Sequence, residues 1–157
     1  MKTGFVIDFS ELEKFTKQMS EMSDDFNNFL EEFLIEMAMR EIAEIKLKQS
    51  GHMGEQFKAV DTGAMINAWK ISDIQGRGKD MDILIENDME YSSHVEFGHD
   101  GKYVPALGVT LWAGENKYWT PGKFMMTTSI QNIQAQMPKR YEEKFKEFCK
   151  KHKLKAD

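Results

Sequence analysis

Apolar side chains recur every three or four positions between residues 10 and 50, and this periodicity constrains the fold more than any other feature of the chain. Residues at that spacing share one face of an α-helix, so the pattern predicts a long amphipathic helix. Ser10 and Glu13 form a capping box at its start. Ser23 is placed to begin a second helix, so one helix and a helix pair both remain open. The stripe consists of Leu12, Phe15, Met19, Met22, Phe26, Phe29, Phe33 and Met37, widened by Leu30, Leu34, Ile42 and Ile45.

The middle of the chain carries the signals of a turn and a hairpin. In "VDTGAMINAW", Asp61 or Thr62 can cap a short helical turn, and Gly63 lets the backbone pass close to another segment. The strand candidates "WKISDI" and "MDILIEN" are joined by "QGRGKD", whose glycines suit a hairpin loop. We therefore predict an antiparallel hairpin over residues 69–87.

Residues 98–120 are rich in glycine and aromatic side chains and have no helical period, which predicts a protruding loop or an extra hairpin. Large aromatics suit a contact surface, and folding back over the protein's own core explains them equally well. The interface candidates are Tyr103, Trp112, Tyr118 and Trp119.

Helical patterns return after Pro121, with one helix expected at 124–136 and a second after Pro138. Together these elements predict an α+β fold with a long N-terminal amphipathic helix or helix pair, a small antiparallel β-sheet and C-terminal helices. Length favours one domain of residues 1–157. Its segments are 10–50 (helical), 60–97 (turn and hairpin core), 98–120 (inserted aromatic loop) and 121–154 (C-terminal helices).

The formal net charge of −5 argues against a general nucleic-acid-binding protein, which needs a basic surface to neutralise phosphates. The charge is also uneven. Residues 138–157 hold eight Lys or Arg against four Asp or Glu, whereas residues 1–50 hold six against eleven. Such a chain can pair head to tail with copies of itself, although solvation of two independent faces is the commoner explanation.

The sole cysteine, Cys149, excludes an internal disulfide and a cysteine-rich zinc site. The first residues hold too short an apolar run for a signal peptide, and no apolar run approaches the ~20 residues that a membrane span needs. We therefore expect a cytoplasmic, soluble protein.

The stretch "EYSSHVEFGHDG" (90–101) is the best candidate for chemistry, because His94, Glu96 and His99 are potential metal ligands. The chain lacks the Pro-Cys-x-x-Cys segment of zinc deaminases and the helical His-Glu-x-x-His pattern of zinc proteases. On a strand His94 and Glu96 would share a face, whereas on a helix they point apart. A metal-dependent enzyme is therefore the alternative, and polar residues at a loop edge are the main interpretation.

Three segments in order carry a resemblance to a known family. They are "VDTGAMINAWKI" (60–71), "IENDMEYSSHVEFGHD" (85–100) and "PGKFMMTTSI" (121–130). They resemble an Asp-Thr-Gly turn, a hairpin ending in Asn with a Tyr-Ala-x-x-Val-Glu-x-Gly turn, and a Pro-x-x-Phe segment that opens a helix. This order is similar to the HK97 gene-product-ten-like family of tailed phages, whose members are minor tail components or neck proteins. The resemblance covers residues 10–137.

Two positions depart from the family pattern. Ser92 stands where the family usually has alanine, and His99 stands where threonine is usual. The stretch 100–120 is also longer than the common linker and suits a particle-specific docking element.

The resemblance implies a structural protein with no catalytic residues, no cofactor and no metal. It implies a homo-oligomeric ring, six-fold by expectation, at the head-proximal end of the tail, in a virion or as the collar of a headless tail-like bacteriocin. The expected neighbours are the tail terminator, the tail tube or sheath and the head connector, with no sequence-specific nucleic acid and no membrane. A tail-assembly adaptor that leaves the finished particle is a further alternative.

The resemblance also assigns structural roles to nine residues. Gly98 would supply a positive φ angle, and Glu96 would accept hydrogen bonds from backbone amides or an arginine. The structural motif comprises Asp61, Thr62 and Gly63 before the hairpin, Tyr91, Val95, Glu96 and Gly98 in the turn, and Pro121 and Phe124 anchoring the last helix onto the sheet.

Overall fold

The computed structural model describes residues 24–59, 63–104, 109–111 and 119–153, and for Lys79, 102–104 and 109–111 it describes the backbone alone. The helices are α1 (Asp24–Gln49), α2 (Ala64–Asn67), α3 (Ser92–Phe97) and α4 (Met125–Lys151), with 3-10 turns at Glu55–Phe57 and Gly78–Asp80. The strands are β1 (Trp69–Ile71), β2 (Ile85–Asn87), β3 (Gly98–Asp100), β4 (Lys102–Val104), β5 (Val109–Leu111) and β6 (Trp119–Pro121). The predicted α+β class is confirmed.

Helix α1 buries the predicted apolar stripe. Full burial of an aliphatic or aromatic side chain contributes about 1.5–3 kcal/mol, so the stripe fixes which face of α1 points inward. The part of the stripe before Asp24, and with it the choice between one helix and a helix pair, lies outside the described residues. The buried members are Phe26, Leu30, Phe33, Leu34, Met37, Ile42 and Ile45.

The core of the molecule is an antiparallel pair formed by α1 and α4. Phe29, near the start of α1, packs on Phe148, near the end of α4, with ring centroids 5.0 Å apart. One to two turns further along, Phe33 meets Tyr141 edge-on at 5.3 Å. Aromatic pairs of this geometry add about 0.5–1.5 kcal/mol beyond their burial. Within the described ranges, no helix combines the length and apolarity needed to cross a membrane.

Helix α4 corrects the prediction of two C-terminal helices. One helix runs from Met125 to Lys151 with Pro138 inside it. A proline in a helix interior removes one backbone hydrogen bond and costs about 3 kcal/mol. Met137 and Tyr141, on either side of the proline, are both buried in the core. Packing along the length of α1 therefore outweighs the local preference of Pro138 to end a helix.

The predicted hairpin is confirmed. Strands β1 and β2 pair antiparallel, and a bridge between Gln75 and Asp82 extends the ladder toward the loop. Met81, Ile83 and Ile85 all lie in the core, as their alternation indicated. Two further antiparallel pairs, β3 with β6 and β4 with β5, occupy the region predicted as an aromatic loop or extra hairpin.

The acidic and basic ends of the chain meet within one molecule. Because the helix pair is antiparallel, acidic residues of α1 face basic residues of α4. Glu36 accepts from Arg140 at 2.7 Å and lies 3.5 Å from Lys144. Against the opposing effect of burial, the hydrogen bond and charge of Arg140, with the charge of Lys144, lower the pKa of Glu36. His152 lies 3.9 Å from Asp25. The acidic and basic ends of the sequence therefore form ion pairs with each other within one molecule.

Two charged side chains of α1 are buried, with opposite outcomes. Lys48 lies 2.8 Å from Glu44 and donates to Thr128 Oγ1 at 2.8 Å and Ser129 Oγ at 3.1 Å. Glu41 is fully buried, and neither carboxylate oxygen has a hydrogen-bond partner among the described residues. Burial, with repulsion from Glu44, raises the pKa of Glu41 to about 8, against an opposing attraction from Lys48.

We predict that Glu41 makes the protein less stable as the pH rises from about 4.5 to about 8. In this window the unfolded state loses the Glu41 proton while the folded state keeps it. The stability contributed by this proton is therefore complete below the pKa of Glu41 in the unfolded state, and it is lost as the pH rises through the pKa in the folded state. Glu41→Gln should flatten this slope and raise the free energy of unfolding at pH 8 by at least about 1.4 kcal/mol, the equivalent of one pKa unit.

Urea unfolding at a series of pH values measures the effect, with exposed Glu147→Gln as the matched control. Parallel pH profiles for wild type and Glu41→Gln would contradict the prediction.

Candidate functional site at the junction of α3 and α4

The motif singled out in the sequence forms a junction with the start of α4. Helix α3 ends at Gly98, and the backbone just before α4 binds the free carbonyl groups at that end. Lys123 N–H donates to Val95 O at 2.8 Å, and Phe124 N–H donates to Glu96 O at 3.0 Å. Carbonyl groups in the last turn of a helix have no partner within the helix, so these bonds fix the two segments against each other.

The carboxylate of Glu96 caps α4 from 30 residues away in sequence. Glu96 is buried, and its Oε2 accepts from Met126 N–H at 3.0 Å. Its Oε1 accepts from Thr127 N–H at 2.7 Å and from Thr127 Oγ1 at 2.8 Å. The residue that precedes α4, Phe124, makes no side-chain capping bond of its own. Glu96 therefore satisfies free amides of α4 and places negative charge at the positive end of its dipole.

Two glycines allow the segments to approach this closely. Gly98 has φ +87°, and a Cβ atom there would lie 2.6 Å from Thr120 O. A Cβ atom on Gly122 would lie 2.3 Å from Glu96 O. Both distances are far below van der Waals contact with backbone, so side chains at either position would force the junction apart.

Phe124 has a left-handed backbone, with φ 49° and ψ 35°. A bulky residue in this region costs about 1–2 kcal/mol. The ring is 44% exposed and meets Phe97, itself 43% exposed, edge-on at 6.4 Å. Trp119, 50% exposed, lies against Gly98. We call Phe97, Trp119 and Phe124 the aromatic patch.

The metal interpretation of the motif has no geometric support. Residues 92–97 form a helix, so Glu96 points toward α4 while His94 is exposed. The rings of His94 and His99 are 5.7 Å apart, and His99 Nδ1 lies 3.0 Å from Asp100 O. Across the described residues, no three or more His, Cys, Asp or Glu side chains are placed to hold a metal ion.

The other residues assigned from the sequence are scattered around the junction. Gly63, with φ 78°, precedes α2, and Tyr91 is 40% exposed at the start of α3. Val95 packs against the core, and Pro121 pairs with Gly98 across β3 and β6. Outside the described residues lie Asp61, Thr62, Trp112 and Tyr118, together with the side chain of Tyr103.

The structure adds residues that the sequence interpretation missed. The buried Asn87 side chain donates to Met65 O at 2.8 Å and accepts from Met89 N–H at 3.1 Å, which ties the hairpin to α2. Gly122 was available as a signal, because Pro-Gly marks a turn. Thr127 carried no signal, since its role depends on the distant Glu96.

We predict that Glu96→Gln lowers the free energy of unfolding by about 2–3 kcal/mol, because an amide nitrogen replaces one acceptor and faces a backbone donor. Urea unfolding measures the loss, and amide exchange at Met126 and Thr127 locates it. Exposed Glu90→Gln is the control. A cost for Glu96→Gln no larger than that of the control would show that the cap is dispensable.

We predict that Phe124→Asn leaves the free energy of unfolding unchanged or raises it by up to about 1 kcal/mol, because asparagine tolerates the left-handed region. Phe124→Ala, which keeps the strain and loses the ring, should be less stable than Phe124→Asn. Thermal unfolding compares the two variants. A loss of about 3 kcal/mol in the asparagine variant would instead make the ring a buried anchor of α4.

A family model described as "Bacteriophage HK97-gp10, putative tail-component" matches residues 13–98, more than half of the chain. No curated protein and no solved structure matches the sequence significantly. The matched range includes the hairpin, α3 and Glu96, and it ends at Gly98. The chain therefore belongs to the HK97 gp10-like family of bacteriophage tail components.

Proposed function

We propose that this tail component is a structural subunit that closes into a ring at the head-proximal end of the tail, as a neck, collar or tail-completion protein, and that it catalyses no reaction. The observation that carries the proposal is that Glu96 serves as a cap for α4. Both oxygens of the Glu96 carboxylate, the acidic group among the three candidate ligands His94, Glu96 and His99, are hydrogen-bonded within the fold. The motif therefore acts as architecture in a family of tail components.

Two separate exposed apolar surfaces support self-association. One is the aromatic patch at the junction. The other is an outer ridge on α1 formed by Ile35, Met39 and Leu47, which are 41%, 52% and 48% exposed. A contact between unlike surfaces is heterologous, and repetition of a heterologous contact gives a ring when the rotation closes. A six-fold ring next to the tail terminator, the tail tube or sheath and the head connector is the arrangement we propose, in a virion or a headless tail-like bacteriocin.

The proposal predicts a closed oligomer whose mass is an integral multiple of the 18.3 kDa chain, and predicts the protein in purified particles. Native mass spectrometry of the purified protein measures the mass of the oligomer. Peptide quantification of purified particles measures whether they contain the protein. Ile35→Glu combined with Met39→Glu should dissociate the oligomer, because it places charge in an apolar contact, whereas exposed Lys139→Glu on α4 should not.

A monomer that is absent from particles would overturn the proposal. A protein present during assembly but missing from finished particles would instead identify an assembly adaptor.

A further inference from the structure

A cleft of about 1110 Å³ lies at the end of the molecule where α1 finishes and α4 begins. Its walls come from the end of α1, the segment around the Glu55–Phe57 turn, α2, α3 and the end of β6. The cleft therefore includes elements that meet at the Glu96 junction. Its described lining contains no residue of the aromatic patch or the outer ridge.

Seven residues of the described cleft lining are apolar, and we call these residues its floor. Its side chains are aliphatic or thioether groups, which suit the side chains of a protein better than a sugar or a bare ion. They are Ala59, Ala64, Met65, Ile66, Met89, Val95 and Pro121.

The described lining carries more cationic than anionic groups. Lys58 and Lys123 line the cleft, and the single carboxylate among the described lining residues is Glu55, 3.6 Å from Lys58. A net positive charge beside an apolar floor favours a partner that carries negative charge.

One residue of the cleft lining has an unused hydrogen-bond donor. Gln49 lines the cleft and is fully buried. Its Oε1 accepts from Trp69 Nε1 at 3.0 Å, which leaves Nε2 to donate elsewhere. Nε2 has no partner among the described residues. A buried donor without a partner costs about 1–3 kcal/mol, and an acceptor entering the cleft would recover part of that cost.

We propose that the cleft binds a segment of a neighbouring tail protein that carries carboxylate groups next to aliphatic side chains. This inference rests on the proposed function, because it assumes an assembly that supplies such a neighbour. The aliphatic side chains contact the floor, the carboxylates contact Lys58 and Lys123, and an acceptor reaches Gln49. Nucleic acid fits less well, since two lysines opposed by one carboxylate neutralise few phosphates.

The test uses a short fluorescein-labelled peptide in which aspartate alternates with valine, together with a matched peptide in which lysine replaces aspartate. Fluorescence anisotropy with the full chain should detect binding of the acidic peptide and none of the basic peptide. Lys58→Glu combined with Lys123→Glu should weaken binding about tenfold or more, because two attractive contacts become repulsive. Exposed Lys139→Glu on α4 should leave the affinity unchanged.

Each contrary outcome overturns the inference. One is that the acidic peptide does not bind, and another is that it binds the double variant as tightly as the wild-type protein. A third is that oligothymidine displaces the peptide at equal concentration, which would assign the cleft to nucleic acid. Native mass spectrometry of the double variant separates this inference from the proposed function. If the double variant keeps the ring and loses peptide binding, both the proposed function and this inference are supported. If the wild-type protein is a monomer that binds the peptide, only the proposed ring is contradicted. If the ring is lost only in the double variant, the cleft binds a second copy of this chain.

Discussion

The rest of the structure depends on the hydrogen bonds between the Glu96 carboxylate and the first amides of α4. Burial of a carboxylate is costly, and three donors within 3.0 Å offset that cost. Because these bonds fix where α4 starts, they also fix how far α4 extends along α1 and which aromatic residues meet at the far end. The same bonds hold α3 beside the start of α4, and so position residues of both the aromatic patch and the walls of the cleft.

Two charged side chains buried near this junction differ in whether they have hydrogen-bond partners. Lys48 has an ion pair and two hydroxyl acceptors, so its charge ties the end of α1 to the first turns of α4. Glu41 lies two turns earlier on the same helix and has no hydrogen-bond partner among the described residues. Burial, with repulsion from Glu44, therefore raises the pKa of Glu41 and favours its neutral form.

Short-range patterns in the sequence were sufficient for the α1 stripe and the hairpin, because alternation and helical spacing depend on neighbouring residues. They failed where distant segments decide the outcome. The local sequence predicts a helix end at Pro138, whereas packing of residues such as Met137 and Tyr141 in the core keeps α4 continuous. The spacing of the α1 stripe did place Glu41 on its inner face, a signal that was present and was not used. The partners of Glu96 lie 30 residues away and were not visible locally.

The family match ends inside the junction that the Glu96 carboxylate holds together. The match contains Glu96 but ends at Gly98, before the residues that Glu96 caps. Two of the three donors to Glu96 are backbone amides, and every residue except proline supplies one. The start of α4 can therefore vary in sequence while the capping bonds persist, provided that a close approach such as that at Gly122 is maintained. The structural unit consequently extends beyond the matched residues.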